Sequence, residues 1–284
     1  MSKIAIVTDS TAYLPAELRE KYQITVTSQV LLWDGEALKD GVDIQPEAFY
    51  HRLQSTKHMP TTSQVAMPDM QQAFASLLEQ GYEVLGLFLS SKLSGTLQSA
   101  IQGRAELTKG QEKVEIIDSQ TTTMALGLQV LTLARAAAEG ASLSECRELA
   151  LTLRERTGVY FVVDTLEFLH RGGRIGGAQR LLGTALNLKP ILTVQDGKVE
   201  AVERVRTKSK ALNRMIELVA EKTQGQTPLR VASLHANAEA EARETLARFA
   251  ELTHPVEALS CSLSPVVGTH TGPGTIGLAY LTGF

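Results

Sequence analysis

The segment that most constrains the fold is Val84-Leu85-Gly86-Leu87-Phe88-Leu89, followed at once by Ser90-Ser91-Lys92-Leu93-Ser94-Gly95-Thr96. An uncharged run this short has the length of a buried strand. The chain then turns small and polar. From Leu97 apolar residues recur at helical spacing: Leu97, Ala100, Ile101, Ala105 and Leu107. The segment therefore predicts strand, hydroxyl-rich loop and helix, with Ser94 as the N-cap. A helix N-terminus offers unpaired N–H groups and a partial positive charge, so it can hold an anion. Gly95 lets a ligand approach the backbone closely. A cap without any ligand explains the same residues equally simply.

A second hydroxyl stretch, Pro60-Thr61-Thr62-Ser63-Gln64, precedes a helix-like run from Pro68 to Gln80 with Met70, Phe74, Leu77 and Leu78 on one face. Two Ser/Thr loops ahead of helices, in one α/β layer, are expected to open together at the carboxyl edge of a parallel sheet. Ligands bind at such edges where strand order reverses.

The rest of the chain extends this pattern. Lys3 to Val7 is a strand ending at Thr8-Asp9-Ser10-Thr11, and a helix is expected over Pro15 to Tyr22. Asp9 and Ser10 border the same crevice or form a local turn. Ile24 to Trp33 reads as one strand, Asp34-Gly35 as a hairpin turn and Pro46 to Leu53 as a helix. Lys113 to Ile117 is a strand ending in Asp118-Ser119, an echo of Asp9-Ser10. Thr122 to Glu139 is a helix closed by Gly140, and Ser142 with Glu145 forms a capping box for a helix that reaches Arg156. Alternating strands and helices predict an α/β/α layer with a mostly parallel sheet over residues 1–157.

From Gly158 the character changes. Val159 to Val163 is a strand. Leu166-Glu167-Phe168-Leu169-His170-Arg171-Gly172-Gly173-Arg174-Ile175-Gly176-Gly177 sets two arginines and a histidine around a Gly-Gly turn. The GGxxGG spacing follows a Leu/Phe turn rather than a strand, so it is no dinucleotide fingerprint. Exposed arginines there suit an anionic partner or a phosphate, or are simply solvated. Asp196-Gly197 joins Leu188–Val194 to Lys198–Val205 as a hairpin, followed by basic Arg204, Arg206, Lys208 and Lys210 where a helix begins. Cations at a helix start oppose its dipole, so they do not serve the helix itself. Strands at 229–234 and 256–263, with a helix at 238–252 between them, complete an α+β domain over 158–284. The segment Ser264 to Gly277 is expected to be a loop, since it packs four glycines, two prolines and His270 into one polar stretch. His270 there can donate to a carboxylate, act as a base, or be structural.

Composition closes off several classes. With 284 residues, 43% hydrophobic, the chain suffices for one large or two ordinary domains. Lys plus Arg number 28 against 31 Asp plus Glu, a net charge of −3, so nothing asks for nucleic acid or an anionic membrane. Cys146 and Cys261 lie far apart, form no metal spacing, and are expected as small buried residues. No signal-peptide core precedes the first strand and no apolar run reaches spanning length, so a cytoplasmic location is expected.

Together, Thr8-Asp9-Ser10, Pro60 to Gln64, Ser90 to Thr96, Asp118-Ser119, Leu166 to Ile175 and Gly268-Thr269-His270-Thr271-Gly272-Pro273-Gly274 resemble the signature segments of the DegV family, in the family's order and over nearly the whole chain. The resemblance implies a two-domain protein enclosing one long-chain, palmitate-like fatty acid, similar to the fatty-acid-binding subunit of bacterial fatty acid kinase. It implies that Thr62 and Ser94 bond the carboxylate with help from backbone near Gly95, that Thr61, Ser63 and His270 complete the polar pocket, and that no Arg or Lys neutralises the ligand. It also implies a separate ATP-using kinase subunit as partner, with Arg171, Arg174, Arg204 and Arg206 docking it or steadying the transferred phosphate. No metal or cofactor is implied, and membrane contact is at most transient. The chain holds no GxxxxGK[ST] loop, consistent with being the binding half. Val65 stands where many relatives carry proline. A rival reading is a serine hydrolase or transferase with Ser94 as nucleophile, His270 as base and Asp9 or Asp118 to orient it, although no GxSxG elbow is present.

Overall fold

The computed structural model describes residues 3–56, 58–183 and 188–284. Its first half runs β1 (Ile4–Asp9), α1 (Ala16–Lys21), β2 (Thr25–Thr27), β3 (Val30–Trp33), β4 (Glu36–Lys39), α2 (Pro46–Ser55), β5 (Thr61–Ser63), α3 (Met67–Glu79), β6 (Glu83–Phe88), α4 (Thr96–Ala105), β7 (Val114–Asp118), α5 (Thr123–Ala138) and α6 (Leu143–Arg156). A four-stranded sheet has the order β2-β1-β6-β7 and is parallel throughout. Its central strands β1 and β6 are buried from their second residue onward, as a parallel sheet covered on both faces requires.

The second half runs β8 (Thr157–Val162), α7 (Glu167–Arg171), β9 (Lys189–Gln195), β10 (Lys198–Val205), α8 (Lys208–Thr223), β11 (Leu229–His235), α9 (Glu239–Thr253), β12 (Glu257–Ser262), α10 (Pro265–Thr271) and β13 (Ile276–Thr282). Its sheet has the order β10-β9-β8-β13-β11-β12, antiparallel except for β11 against β12. The hairpin turns Asp34-Gly35 and Asp196-Gly197 carry positive φ at both residues, the geometry that matches the strand twist.

Helix α5 joins the two halves. It packs on β1 and β6 on one side and on β8, β11 and β13 on the other. That explains a sequence apolar nearly all round. Leu126, Leu128, Leu131 and Leu133 are all buried, each worth about 1.5–3 kcal/mol relative to exposure. The capping box of Ser142 and Glu145 opens α6 as expected. Both cysteines are free and buried.

Several expectations give way. The Ile24–Trp33 run is not one strand: β2 joins the parallel sheet, whereas β3 turns away to form a separate antiparallel sheet of order β4-β3-β5. The break falls where the Thr27 hydroxyl bonds Thr8 O and the Gln29 side chain reaches Asp9. Thr61–Ser63 is strand β5 on that small sheet, not a loop of the parallel layer, so only the Ser90–Gly95 loop opens at the parallel sheet's edge. Gly95, not Ser94, is the N-cap of α4, and Ile101 faces solvent at 46% exposure. The Gly/Pro-rich segment is a helix, α10, capped by the Ser264 hydroxyl with Pro265 in its first turn, followed by the buried strand β13. Tyr50 and Phe49 press so closely on Gly268 that a helix could pack there only with glycine.

Candidate functional site

A cavity of about 220 Å³ lies between the carboxyl ends of β1, β6 and β7 and one face of the six-stranded sheet. Its apolar wall comes from alternating strand residues: Val159 and Phe161 of β8, Val194 of β9, Val199 of β10 and Leu234 of β11. Gly277 stands in register between Phe161 and Leu234, so the middle of this wall has no side chain. Leu263, Val266 and Val267, at and before the start of α10, close another side. Polar residues come from several places, among them Thr62, Ser63 and Gln64 at β5, Ser94 and Gly95 before α4, Arg174 after α7, and His270 and Thr271 at the end of α10.

The tightest link among them is between Thr62 Oγ1 and His270 Nε2, 2.8 Å apart across 208 residues of chain. His270 Nδ1 is buried and has no hydrogen-bond partner among the described residues. Burial, aided by the charge of Arg174, pushes the His270 imidazole down to about 4, so the ring is neutral at neutral pH. Ser94 Oγ accepts from Thr96 N at 3.3 Å and lies 3.0 Å from Thr96 Oγ1. Either hydroxyl can donate in the second contact; where Thr96 donates, the Ser94 proton is left for a cavity ligand. The Gln64 amide packs on Gly95 and donates to Ser99 Oγ at 2.9 Å.

Arg174 sits elsewhere than expected. Its Nε donates to Leu93 O at 3.0 Å and its Nη1 to Gly172 O at 2.6 Å, which holds the guanidinium at the cavity. Half-buried, it borders both the cavity and the recess beside it, so the pocket lining does contain a cation. Arg171 is exposed and paired with Glu167 at 2.6 Å. With Thr61, Phe168, Arg174 and His270 it lines a recess beside the cavity, and Thr61 lines that recess rather than the cavity itself. Arg204 and Arg206 are exposed at the far end of the β9–β10 hairpin from its turn, which touches Ser90 and Lys92. Neither lines the cavity.

The arrangement for a hydrolase is not assembled. His270 bonds Thr62, and Ser94 bonds Thr96. Asp9 accepts from Thr11, Gln29 and Leu89, and Asp118 from Ser91 and Gln120. No acid orients the imidazole and the imidazole does not reach the serine, so Ser94 lacks the activation that nucleophilic catalysis needs. Among the described residues no group of three His, Cys, Asp or Glu stands close enough to hold a metal ion. No described helix is long and apolar enough to cross a membrane.

Thr11, Gln29, Thr122 and Thr123 also line the cavity and were not anticipated. The signal was present: Thr11 follows β1 and Thr122–Thr123 follow β7, just as Ser94 follows β6.

The site is a mostly apolar cavity whose lining brings together a neutral imidazole, hydroxyls and a guanidinium, the make-up of a small-molecule binding pocket. The comparisons with known proteins agree. The chain belongs to the DegV family: it matches that family, described as "Uncharacterised protein, DegV family", over residues 3–283. A DegV domain-containing protein of Clostridium perfringens is 37% identical over 279 residues, covering 98% of both chains. A solved DegV family protein from Thermus thermophilus, described by its fatty acid binding, is 36% identical with TM-score 0.91, covering 99% of both chains. A stearic acid-binding protein from Eubacterium ventriosum is 25% identical with TM-score 0.90, covering 99% of this chain and 98% of that one.

Proposed function

We propose that this protein encloses one long-chain fatty acid, palmitate-like in length, and presents its carboxylate to a separate ATP-dependent kinase subunit. The observation that carries the reading is the Thr62–His270 pair lining, together with Ser94, Gly95 and Arg174, a mostly apolar cavity. With its hydrogen on Nε2, the neutral imidazole donates to Thr62 Oγ1 and turns the Thr62 proton toward the ligand. Thr62 and Ser94 then donate to the carboxylate, and Ser63 and the backbone at Gly95 border it. Thr61 shapes the neighbouring recess. The acyl chain lies along Val159, Phe161, Val194 and Leu234. In this reading residues 1–157 and 158–284 are two domains with the ligand between them, and the protein works in the cytoplasm.

The carboxylate oxygen attacks the γ-phosphorus of ATP held by the partner, ADP leaves, and an acyl phosphate forms on the carrier. Arg174 would stabilise the charge that builds at the new phosphate, and exposed Arg171, Arg204 and Arg206 are the docking candidates. The carrier half supplies binding and orientation and no nucleotide site of its own.

Denaturing the purified protein in organic solvent and running lipid mass spectrometry on the extract tests the binding step. A stoichiometric fatty acid is expected. A protein with no lipid, which also fails to bind added palmitate, would sink the reading. For the kinase step, protein loaded with labelled palmitate is incubated with ATP and a kinase subunit, and the acyl phosphate is trapped with hydroxylamine. Absence of the hydroxamate with every candidate kinase would leave a carrier without phosphorylation.

A further inference from the structure

The cavity holds an acceptor that a bound carboxylate leaves unused. Gln29 lies between β2 and β3, is 2% exposed and lines the cavity. Its backbone is pinned: Gln29 N donates to Ser10 Oγ at 3.2 Å, and Gln29 O accepts from Asp40 N at 2.9 Å. Its side chain is pinned as well, with Nε2 donating to Asp9 Oδ1 at 3.3 Å. That oxygen also accepts from Thr11 N at 3.0 Å and Thr11 Oγ1 at 2.6 Å, while Asp9 Oδ2 accepts from Leu89 N at 2.8 Å. Burial raises the Asp9 carboxyl, but an oxygen already facing two donors is the accepting one in either protonation state. Only the NH2 side of the Gln29 amide can face it, so Oε1 is turned away from Asp9.

Among the described residues nothing donates to Gln29 Oε1, yet it is not sealed in the packing as the unpartnered amide of Gln129 is. What Gln29 exposes, it exposes to the cavity. Thr11, its neighbour on Asp9 Oδ1, also lines the cavity, and its hydroxyl proton is spent on Asp9, so it too can only accept. A carboxylate, itself an acceptor, gains nothing from this corner. An aliphatic chain laid over it would strip water from Oε1 and return no hydrogen bond. A ligand hydroxyl would supply the missing donor.

Strand register says where along the ligand that hydroxyl falls. β3 pairs with β5 so that Leu31 stands opposite Thr62, and Gln29 is two residues before Leu31. Two residues of extended chain span roughly 7 Å. Two hydrogen bonds of about 2.8 Å each, joined by the few bonds between a carboxylate and a hydroxyl on a nearby carbon, bridge that distance. Leu89, which holds Asp9 from the other side, opens the loop that carries Ser94, so the corner is tied to the second carboxylate contact too.

We propose that the cavity is built for a long-chain fatty acid bearing a hydroxyl on one of the two carbons next to its carboxylate, the 2- or the 3-position, and that Gln29 is the specificity-determining residue, its Oε1 accepting from that hydroxyl. The inference rests on the fatty-acid reading above, with the carboxylate at Thr62 and Ser94. A site made to bond a hydroxyl rejects the analogue that lacks it, because its own buried polar group is left unpaired. The preferred hydroxy acid should therefore bind about 5- to 150-fold more tightly than the plain acid of equal length.

The test is calorimetric titration of delipidated protein with palmitate, with the separate enantiomers of 2-hydroxypalmitate and 3-hydroxypalmitate, and with their methyl ethers. One hydroxy acid should bind more tightly than palmitate by the factor above. Its methyl ether keeps the oxygen but cannot donate, so it should bind no more tightly than palmitate. Gln29→Met keeps the length of the side chain and removes the acceptor, so it should bind the plain and hydroxylated acids alike. Palmitate that binds as tightly as every hydroxy acid, a methyl ether that keeps the preference, or an undiminished preference in Gln29→Met overturns the proposal. If Gln29→Met does not fold, the methyl ethers decide. Protein that binds palmitate and shows no preference loses this inference and keeps the carrier reading; protein that binds none of the acids loses both.

Discussion

Replacing Gly172 by alanine should disable the site without touching any of its polar groups. Gly172 ends α7 at φ −74°, a conformation open to any residue, so the backbone accepts the change. The new Cβ, however, would overlap His270 Nδ1 and lie 2.8 Å from His270 Cε1. The ring must then rotate, or α10 must back away, and either motion strains the 2.8 Å link from Nε2 to Thr62. Losing a neutral hydrogen bond costs about 0.5–1.5 kcal/mol, and leaving a buried partner unsatisfied costs about 1–3 kcal/mol. Ligand affinity should therefore fall by roughly 5- to 150-fold. Overpacking should also take about 1–3 kcal/mol from stability. Gly173→Ala is the control. Its φ is +71° with nothing within 4 Å of a built Cβ, so it pays about 1–2 kcal/mol of backbone strain and meets no neighbour. Calorimetric titration of delipidated protein with palmitate, alongside thermal melts, separates the two. Gly172→Ala binding as tightly as the unmodified protein, or Gly173→Ala losing affinity to the same degree, would refute the role given to the His270–Thr62 pair.

Other outcomes follow from the same geometry. Ser94→Ala and Thr62→Val should each weaken fatty acid binding by about 1.5–3 kcal/mol, the value of a hydrogen bond to a charged group, as read by titration. His270 has its folded-state ionisation depressed to about 4 from the ordinary 6.5. Its contribution to stability is therefore complete above 6.5 and is lost as pH falls from there toward 4. The melting-temperature difference between the unmodified protein and His270→Asn should shrink over that window and be constant from pH 7 to 8. Glu257 receives Arg135 at 2.6 Å and Arg230 at 2.8 Å, tying α5, β11 and β12 together with only 16% of its side chain exposed. Glu257→Ala, which strands two half-buried guanidinium groups, should cost about 2–3 kcal/mol in denaturant titration while fatty acid affinity is unchanged.

How much of this site was legible depended on how local each contact is. The Ser90–Gly95 loop was readable because strand length, hydroxyl density and the following helical period all lie within one short segment. His270 was singled out by its glycine-rich surroundings, but those surroundings suggested a loop. They form a helix instead, opened by the Ser264 cap and Pro265 and packed at Gly268 against Phe49 and Tyr50. Thr61–Ser63 has no hydrophobic period of its own, so its pairing with β3 was invisible until β3 had been placed.

The sequence by itself determined the alternation of strands and helices, both tight hairpins, the α6 capping box, and the hydroxyls and imidazole that can meet a carboxylate. These are encoded in periods of two and 3.6 residues and in turn chemistry that acts within a few residues. Only the tertiary structure decided that Thr62 meets His270 and that Arg174 comes to border the cavity. Each of these joins residues far apart in the chain, and α5, buried between the two sheets, fixes how those sheets face each other. Which of several arginines or acids is captured at such a contact depends on how packed elements meet, and no local periodicity records that.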